Sequence, residues 1–414
     1  MRIGFISTYF PVEIEQSVFG IYKRMGMFIQ AMKDMGELDM MFYVKPGVDV
    51  NTHFVAEMEE RLAKHWDAQL RLDLCSTAHV NPARGRWQEY INSALSIEDQ
   101  FPYLYFAQRE QVNAVHRLFS RKPDILFVHR LTSMIPVLLA KKSHPGIFFD
   151  MDDIEHIALL RNIRQPPWWP GKLLLYLRLP VLMLWERRAV RLSHTAFICS
   201  ENDRQHLSRV YCSKNVTVIP NAIDIPERQE LSDKPILLFL GVMSYPPNAV
   251  AADYLISKIW PIILSAVPEA KLCIAGSNPD HIASYEASPP GVEFLGFVDN
   301  LDNLYKDVKV VCCPILSGGG TRIKILEAAA YGKPVVSTII GAEGIELRDG
   351  EGILLHDDPR SFAEACIRLL KDRNFAEKIG QNARSVVARH YDRDNVIDEI
   401  RTCLLSYSTS TRKE

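Results

Sequence analysis

Residues 308–338 read VKVVCCPILSGGGTRIKILEAAAYGKPVVST, and this stretch decides the fold class. It opens with a short apolar run rich in β-branched residues, 308–315, which is typical of a buried strand. A turn with glycines at 318–320 follows. Residues 321–332 then have helically spaced apolar positions and end in a glycine, and a second strand pattern begins at 333. Strand, turn, helix and strand in this order predict a parallel sheet covered by helices.

The same strand-turn-helix opening occurs at the start of each half of the chain. One begins with RIGFIST at Arg2 and the other with PILLFLGVMS at Pro235. Further strand patterns follow in both halves: MMFYV, DILFVH, GIFFDM, TAFICS and VTVIP, then AKLCIAG, VEFLGFV, VKVVCCPI, KPVVST and EGILLH. The sequence therefore predicts the α/β class, with two Rossmann-like doubly wound domains that face a central cleft. A single large sheet is the alternative, which the repeated opening disfavours.

The domain boundary is predicted in the polar segment PERQELSDK at 226–234, which lacks strand character. We expect an N-terminal Rossmann-like domain at 1–228 and a C-terminal one at 229–390. Residues 391–414 are expected to form a helix that can pack back on the N-terminal domain, followed by a tail.

Composition excludes several classes of protein. The chain has 414 residues, 47% hydrophobic and 24% charged, which is ordinary for a globular protein. A net charge of −2 gives no basic surface for nucleic acid. None of the eight cysteines has zinc-site spacing, so we expect structural thiols in a reducing compartment. The N-terminus enters a strand pattern without signal-peptide features, and we expect a cytoplasmic protein.

An apolar stretch at 166–192 has two interpretations. Its densest part, Leu173 to Trp185, is interrupted by Arg178 and Pro180 and is too short to span a membrane. It can form buried core helices. Alternatively it forms an interfacial patch that holds the protein on the inner face of the membrane, with tryptophans at the headgroups and basic side chains toward anionic lipid. The residues meant are Trp168, Trp169, Lys172, Arg178, Arg187, Arg188 and Arg191.

The glycine segment predicts a diphosphate site. A helix N-terminus binds anions through its unpaired N–H groups, and glycines let a ligand approach the backbone. Arg322 and Lys324 add two cations, and Thr321 is expected at the N-cap or in the first helical turn. Glu327 would repel phosphate and is better suited to sugar hydroxyls. A glycine-rich turn with surface charges is the alternative, while the spacing matches neither a P-loop nor a dinucleotide fingerprint.

Four segments together resemble the retaining GT-B glycosyltransferases of family 4, also called glycosyl transferases group 1. They are the GGGTRIKILEAAAYGKPVVST segment, VIPNAID at 218–224, LFLGVMSYPPNAVAADYL at 238–255 and FLGFVDNLDNLY at 294–305. The resemblance implies transfer of a sugar from a nucleotide-diphosphate sugar to a hydroxyl acceptor, with retention and without a metal or other cofactor. It implies surface polysaccharide or glycolipid biosynthesis, with an acceptor that can be lipid-linked. The acceptor would bind the N-terminal domain and the donor the C-terminal one.

The resemblance also implies residue roles. Arg322 and Lys324 would hold the diphosphate, and Glu327 matches the second glutamate of the E-x7-E motif, which binds ribose hydroxyls. The backbone near Phe297 and Val298 would meet the base. The remaining donor-binding residues are Gly20, Gly241, Gly318, Gly319, Gly320 and Thr321.

Three departures from the family pattern set this sequence apart. Gly319 stands where the first glutamate of E-x7-E would be, as in a subset with a GGGTRIK-type motif. Val242 and Asn248 lie in the loop where the family carries an arginine and a lysine, and Arg322 and Lys324 look like the replacement. Asp152 stands near the place of the catalytic-loop histidine, and we expect it to be catalytic with Arg322 and Lys324.

Several alternatives stay open at this point. The acidic run DMDD at 150–153 can bind a divalent metal or form a solvated loop. The enzyme can be a sugar-nucleotide epimerase on the same fold, or the chain a non-catalytic GT-B subunit. His129 and Glu201 either line the site or are structural.

Overall fold

The computed structural model describes residues 1–14, 20–45, 47–77, 109–140, 145–164 and 170–411. The chain divides into two compact units. The N-terminal unit comprises Met1–Ile219 with Val396–Glu414, and the C-terminal unit comprises Pro220–Asn395. Each is an α/β unit built on a parallel sheet, as the repeated strand-turn-helix opening predicts.

The N-terminal unit holds a seven-stranded sheet in the order β3-β2-β1-β4-β5-β6-β7. Its strands are β1 (Arg2–Ser7), β2 (Glu37–Val44), β3 (Leu70–Ser76), β4 (Ile125–His129), β5 (Gly146–Asp152), β6 (Thr195–Ile198) and β7 (Val216–Val218). Its helices are α1 (Gly20–Lys33), α2 (Thr52–Trp66), α3 (Arg109–Ser120), α4 (Leu131–Leu139), α5 (Glu155–Arg164), α6 (Lys172–Leu175), α7 (Arg178–Leu192) and α8 (Glu201–Tyr211).

The C-terminal unit holds a six-stranded sheet in the order β10-β9-β8-β11-β12-β13. Its strands are β8 (Ile236–Leu240), β9 (Lys271–Ala275), β10 (Val292–Gly296), β11 (Val310–Cys313), β12 (Val335–Ser337) and β13 (Leu354–Leu355). Its helices are α9 (Pro246–Tyr254), α10 (Trp260–Ala266), α11 (Leu301–Asp307), α12 (Ile323–Ala330), α13 (Pro359–Lys371) and α14 (Arg373–His390), and α15 (Arg393–Thr411) begins here. A π-helical segment, Leu255–Ile259, joins α9 to α10.

Both sheets are buried because helices cover them. All five residues of β4 are buried, and its Phe127 stacks on Phe5 with ring centroids 5.6 Å apart. In the C-terminal unit the buried valines and cysteines of β11 face helices on either side. Continuous apolar strands of this kind are what parallel sheets require.

The unit boundary falls after Ile219, so residues 220–228 belong with the C-terminal unit. The last helix passes from one unit to the other, and its residues from Val396 onward belong with the N-terminal unit. There the Tyr407 ring lies 4.5 Å from the His194 ring and 5.7 Å from the Phe148 ring.

One strand was not among the predicted patterns. β3 pairs in parallel with β2 from Leu70 to Ser76 and forms one edge of the seven-stranded sheet. Four of its seven residues, Leu70, Arg71, Asp73 and Ser76, are not fully buried, as is usual at the edge of a sheet.

Two interpretations of apolar segments can be judged from burial. The stretch Pro246–Ala266 is long and apolar enough to cross a membrane by length and composition alone. It contributes Ala251, Leu255 and Ile259 to the core of the C-terminal unit, as a covering helix does. In the 166–192 stretch one face of α7 packs into the core of the N-terminal unit through Leu182, Ala189 and Val190, as the core-helix interpretation predicts. Leu173 and Leu177 are exposed, so the stretch is not buried throughout.

Candidate functional site

The predicted turn connects β11 to α12 in the C-terminal unit. Gly318 has φ +103°, a left-handed conformation that residues with a side chain rarely adopt. Gly320 likewise has a positive φ, of +72°. The loop therefore depends on glycine, and it brings bare backbone to the carboxyl end of the sheet, where α/β folds bind ligands.

The start of α12 differs from the prediction by one or two residues. The helix begins at Ile323 and Arg322 is its N-cap, without a side-chain capping bond. The expected capping or first-turn role of Thr321 is therefore wrong, because Thr321 precedes the cap. The Arg322 side chain does not cap the first N–H groups of α12. Uncapped N–H groups at the start of a helix attract anions.

Arg322 turns back onto the glycine loop. Its Nη1 donates to the carbonyls of Gly319 and Gly320, and its Nη2 donates to Ser317 O at 3.3 Å. The guanidinium thus organises the loop in this state. The acceptors are neutral carbonyls, so they do not offset the positive charge of Arg322.

Lys324 lies in the first turn of α12 and points toward β8. Its Nζ donates to Asn248 Oδ1 at 2.9 Å and sits 4.4 Å from the centroid of the Phe239 ring. Within the described ranges it forms no ion pair, and burial lowers the pKa of its ammonium to about 8. A partly buried ammonium with a neutral partner is a site that an anion would stabilise.

Gly241 lets these groups approach each other. It directly follows β8, and a Cβ built on it would lie 2.8 Å from Lys324 Nζ and 2.8 Å from Asn248 Nδ2. Any side chain at this position would displace the lysine. The glycine at 241 is therefore needed to make room for the Lys324 ammonium and the Asn248 amide.

Two other predicted donor-binding residues of this unit follow a strand of the same sheet, and a third lies in α12. Phe297 follows β10 and is 57% exposed, and Val298 beside it is partly buried. Glu327 lies in α12, one turn beyond Lys324.

The acidic run of the N-terminal unit is not a solvated loop, so that alternative is wrong. Asp150 is fully buried and accepts three hydrogen bonds from Arg24, at 2.7 to 3.0 Å. Arg24 Nη1 also donates to Ile219 O at 2.9 Å. Burial raises the pKa of Asp150 to about 6, and Arg24 opposes that rise.

Asp152 ends β5 in an unusual backbone conformation. Its φ is +59°, next to a register shift between β5 and β6, and the Arg130 with which it pairs has φ +71°. Cys199 Sγ donates to Asp152 Oδ1 at 3.2 Å. Burial opposes ionisation of Asp152, but Arg130 and Arg24 hold its pKa below the usual value. Left-handed non-glycine residues in adjacent strand ends suggest a functional constraint.

Three other predicted residues lie in this unit. Gly20 is the first residue of α1. His129 is fully buried, its Nδ1 is 2.9 Å from Ser7 Oγ, and burial lowers its pKa to about 3. Glu201 is exposed and pairs with Arg204 one turn along α8. His129 thus has the surroundings of a neutral structural histidine, and Glu201 those of a surface residue.

Sequence reasoning missed the pairing of three residues. Arg24 and Arg130 neutralise the acidic run, and Asn248 holds Lys324. Arg130 directly follows the strand pattern DILFVH, and that position is the signal that could have found it. Arg24 lies in α1, where nothing in the local pattern marks it. Asn248 was named as a departure from the family pattern, but its bond to Lys324 was not predicted.

Comparison with known proteins gives the family of the C-terminal unit. Residues 234–372 match the model of the family described as glycosyl transferases group 1. This range is a glycosyl transferases group 1 domain. It contains the glycine loop, Lys324 and Asn248.

A curated relative supports the same assignment. This chain is 37% identical over 177 residues to an uncharacterized glycosyltransferase of Methanocaldococcus jannaschii, which covers 40% of this chain and 44% of the relative. The chain thus aligns with less than half of the relative's length. The group 1 domain assignment rests on the family model, and this similarity agrees with it.

Solved structures with the same fold extend over the whole chain. Sucrose-phosphate synthase from Thermosynechococcus elongatus has a TM-score of 0.70, with 14% identity and 99% of each chain covered. HepE of Anabaena in complex with UDP-glucose has a TM-score of 0.65, with 14% identity, 98% of this chain and 100% of that chain covered. The chain has the GT-B fold, as predicted.

Proposed function

We propose that the chain is a glycosyltransferase that moves a sugar from a nucleotide-diphosphate sugar to a hydroxyl acceptor with retention. The observation that carries the proposal is the Lys324 ammonium, partly buried beside a glycine loop at a helix N-terminus, with an amide rather than a carboxylate as its partner. The group 1 domain match and the UDP-glucose complex of a protein of the same fold support a nucleotide-sugar donor.

In this proposal the donor's diphosphate binds Lys324 and the first N–H groups of α12. Arg322 reaches the phosphates when its bonds to the loop carbonyls are exchanged for phosphate oxygens, which are charged and therefore stronger acceptors. Gly318, Gly319 and Gly320 supply close backbone. Glu327 accepts from ribose hydroxyls and the backbone near Phe297 and Val298 meets the base.

The reaction breaks the bond between the anomeric carbon and the diphosphate oxygen. A bond forms between that carbon and the acceptor oxygen on the same face, and the acceptor proton passes to the leaving diphosphate. Cations at the diphosphate lower the barrier because negative charge develops there in the transition state. Asp152 is proposed as the carboxylate that favours positive charge on the anomeric carbon. No metal is needed in this scheme, since cations are already present.

The test is a panel of nucleotide-diphosphate sugars screened by thermal shift, followed by incubation of each binding donor, radiolabelled in the sugar, with hydroxyl acceptors. We expect one donor to raise the melting temperature and its label to move to an acceptor. Conversion of the sugar without transfer would instead indicate an epimerase. Binding without any turnover would indicate a non-catalytic subunit, and a panel without any binder would overturn the proposal.

We further propose that α6 and α7 contact an anionic membrane surface, which brings the enzyme to a lipid-linked acceptor on the cytoplasmic face. One stripe along α7 is exposed, apolar in its first half and basic in its second. Leu177 is 56% exposed and Leu184 is 45% exposed, and Arg187 and Arg191 follow at helical spacing. Leu173, on α6, is 61% exposed.

Three of the residues expected in this surface are placed differently or are not described. Lys172 is buried and donates to Asn162 O, so its predicted contact with lipid is wrong. Trp168 and Trp169 lie outside the described residues. The exposed leucines and the arginines carry the proposal without them.

Co-sedimentation with vesicles tests the membrane contact. We expect binding to phosphatidylglycerol vesicles that weakens as salt rises, because screening reduces the attraction of the arginines. Leu177→Ser with Leu184→Ser should lower binding, whereas Val250→Ser, an equally exposed apolar residue of the C-terminal unit, should not. Equal binding of wild type and the double variant would contradict the assigned surface.

A further inference from the structure

We propose that Asn248 is a positioning residue that holds the Lys324 ammonium in place for the donor's diphosphate. This inference rests on the proposed function and names a residue that acts through the lysine. Asn248 Oδ1 accepts from Lys324 Nζ at 2.9 Å, and both groups crowd against Gly241.

The Asn248 amide is held in one orientation by the loop. Its Nδ2 donates to Val242 O at 2.9 Å, and its backbone N donates to Tyr245 O at 2.9 Å. A carbonyl accepts only from the NH₂ side of an amide, so the Oδ1 side must face Lys324. The loop thus fixes an acceptor where the ammonium arrives from α12.

The shape of the site favours asparagine. Asn248 Cγ lies 2.9 Å from the position of a Cβ on Gly241, so the amide fills the space above that glycine. Alanine would remove the acceptor and leave the ammonium with the Phe239 ring, 4.4 Å away. The longer glutamine would displace either the loop bond or the lysine.

The neutrality of the amide is as important as its position. A carboxylate at 248 would also accept from Lys324, but it would cancel the charge that attracts phosphate. An amide oxygen orients the ammonium and leaves its net charge for the ligand. We conclude that Asn248 positions the cation without neutralising it.

A double-mutant cycle on nucleoside diphosphate binding tests this inference. The probes are ADP, GDP, UDP and dTDP, and the one that binds wild type is titrated by calorimetry against Asn248→Ala, Lys324→Ala and the double variant. We expect Asn248→Ala to weaken binding about tenfold in wild type and less than about twofold in the Lys324→Ala background, because the amide acts through the lysine. Asn382→Ala is the matched control, since its Nδ2 also donates to a backbone carbonyl in this unit, and should leave binding unchanged.

The outcomes separate this inference from the proposed function. If Lys324→Ala leaves binding unchanged, or no probe binds, the proposed donor site is wrong. If Lys324→Ala weakens binding but Asn248→Ala has the same effect in both backgrounds, Asn248 does not act through Lys324 and the inference is overturned.

Asn248→Asp keeps the inference testable if the alanine variant folds poorly. An aspartate beside Lys324 raises the pKa of the ammonium, so affinity should be lower at pH 7 and its decline with pH should move to higher pH. A merely structural asparagine would not move that midpoint. An unchanged midpoint in a folded Asn248→Asp protein would also overturn the inference.

Discussion

Cations stand at the carboxyl ends of both sheets, but the two units pair them differently. In the N-terminal unit, Arg24 is fully buried and faces the carboxylate of Asp150. In the C-terminal unit, Lys324 is partly buried and faces an amide and a ring. The charge of Arg24 is neutralised within the fold, whereas the charge of Lys324 lies beside bare backbone and is available to the anion that we propose it binds. The pairing of a cation, rather than its presence, distinguishes framework from site.

The largest effect on stability should come from breaking the ion pair between Arg24 and Asp150 in the N-terminal unit. Arg24→Met leaves Asp150 buried without its partner, and removing one member of a buried pair costs about 3–5 kcal/mol. We expect a loss of that size in the free energy of unfolding of the N-terminal unit, measured in denaturant at pH 7. Arg204→Met removes an exposed ion pair with Glu201, 43% and 46% exposed, and should leave the free energy of unfolding almost unchanged. Similar small losses in both variants would mean that Arg24 is not part of the framework.

The next largest effect is expected at Lys324 and Arg322 of the C-terminal unit, which donate to neutral acceptors. It should appear in donor binding rather than in stability. Lys324→Met and Arg322→Ala should each weaken donor binding by roughly 1.5–3 kcal/mol, the size of a contact to a charged group. Turnover should fall further, because charge on the diphosphate grows in the transition state. Calorimetric titration with the donor measures the first and labelled transfer the second.

Lys306→Met serves as the control for that loss, since Lys306 is exposed on α11 of the same unit. Wild-type affinity and turnover in the Arg322→Ala, Lys324→Ala double variant would remove the cations from the donor site.

Asp152 pairs with Arg130 in the N-terminal unit and yet is proposed to act in turnover. It therefore tests whether a paired charge can also serve the reaction. Asp152→Asn keeps the shape and removes the charge. We expect turnover to fall on the order of tenfold with little change in donor affinity, because that charge matters mainly in the transition state. Asp153→Asn, next to it and partly buried, should have a smaller effect.

The same assay tests the alternative role of the acidic run. We expect near-full activity in excess chelator, because the diphosphate already has cations. Activity that disappears with chelator and returns with manganese or magnesium would show that Asp150 and Asp152 serve a metal.

The contrast between the units also explains what could be predicted from the sequence. Every predicted strand pattern contains a strand, because short apolar runs between helices are a local signal. β3 was missed since an edge strand with partly exposed residues has a weaker pattern. Lys324 was found because the glycines, the helix start and the cation are adjacent in sequence.

Partners that come from other elements could not be predicted in this way. Arg24 lies 126 positions from Asp150, and Asn248 lies 76 from Lys324. The DMDD run could therefore be read as a metal site or a solvated loop, although its first and second aspartates face guanidinium groups. Whether a charge is free or neutralised depends on the fold, and a local motif carries no information about it.

The smallest effect is the one most specific to Lys324, whose hydrogen-bond partner is an amide rather than a carboxylate. Burial lowers the pKa of Lys324 to about 8, so the ammonium is charged at pH 7 and increasingly neutral above pH 8. Donor binding stabilises the charged form, and affinity is therefore full below that pKa and lost as pH rises through it. We expect donor affinity to fall about fourfold between pH 7 and 8.5, as the charged fraction does.

The titration should use the nucleotide-diphosphate sugar, whose diester phosphates do not titrate in this range. Lys324→Arg stays charged at every pH used, so its affinity should not fall. Lys333 provides an internal comparison, since burial also lowers its pKa to about 8 but its Nζ donates to Glu230 O. A fall that persists in Lys324→Arg would assign the titration to another group and would leave Lys324 as a lysine of the framework.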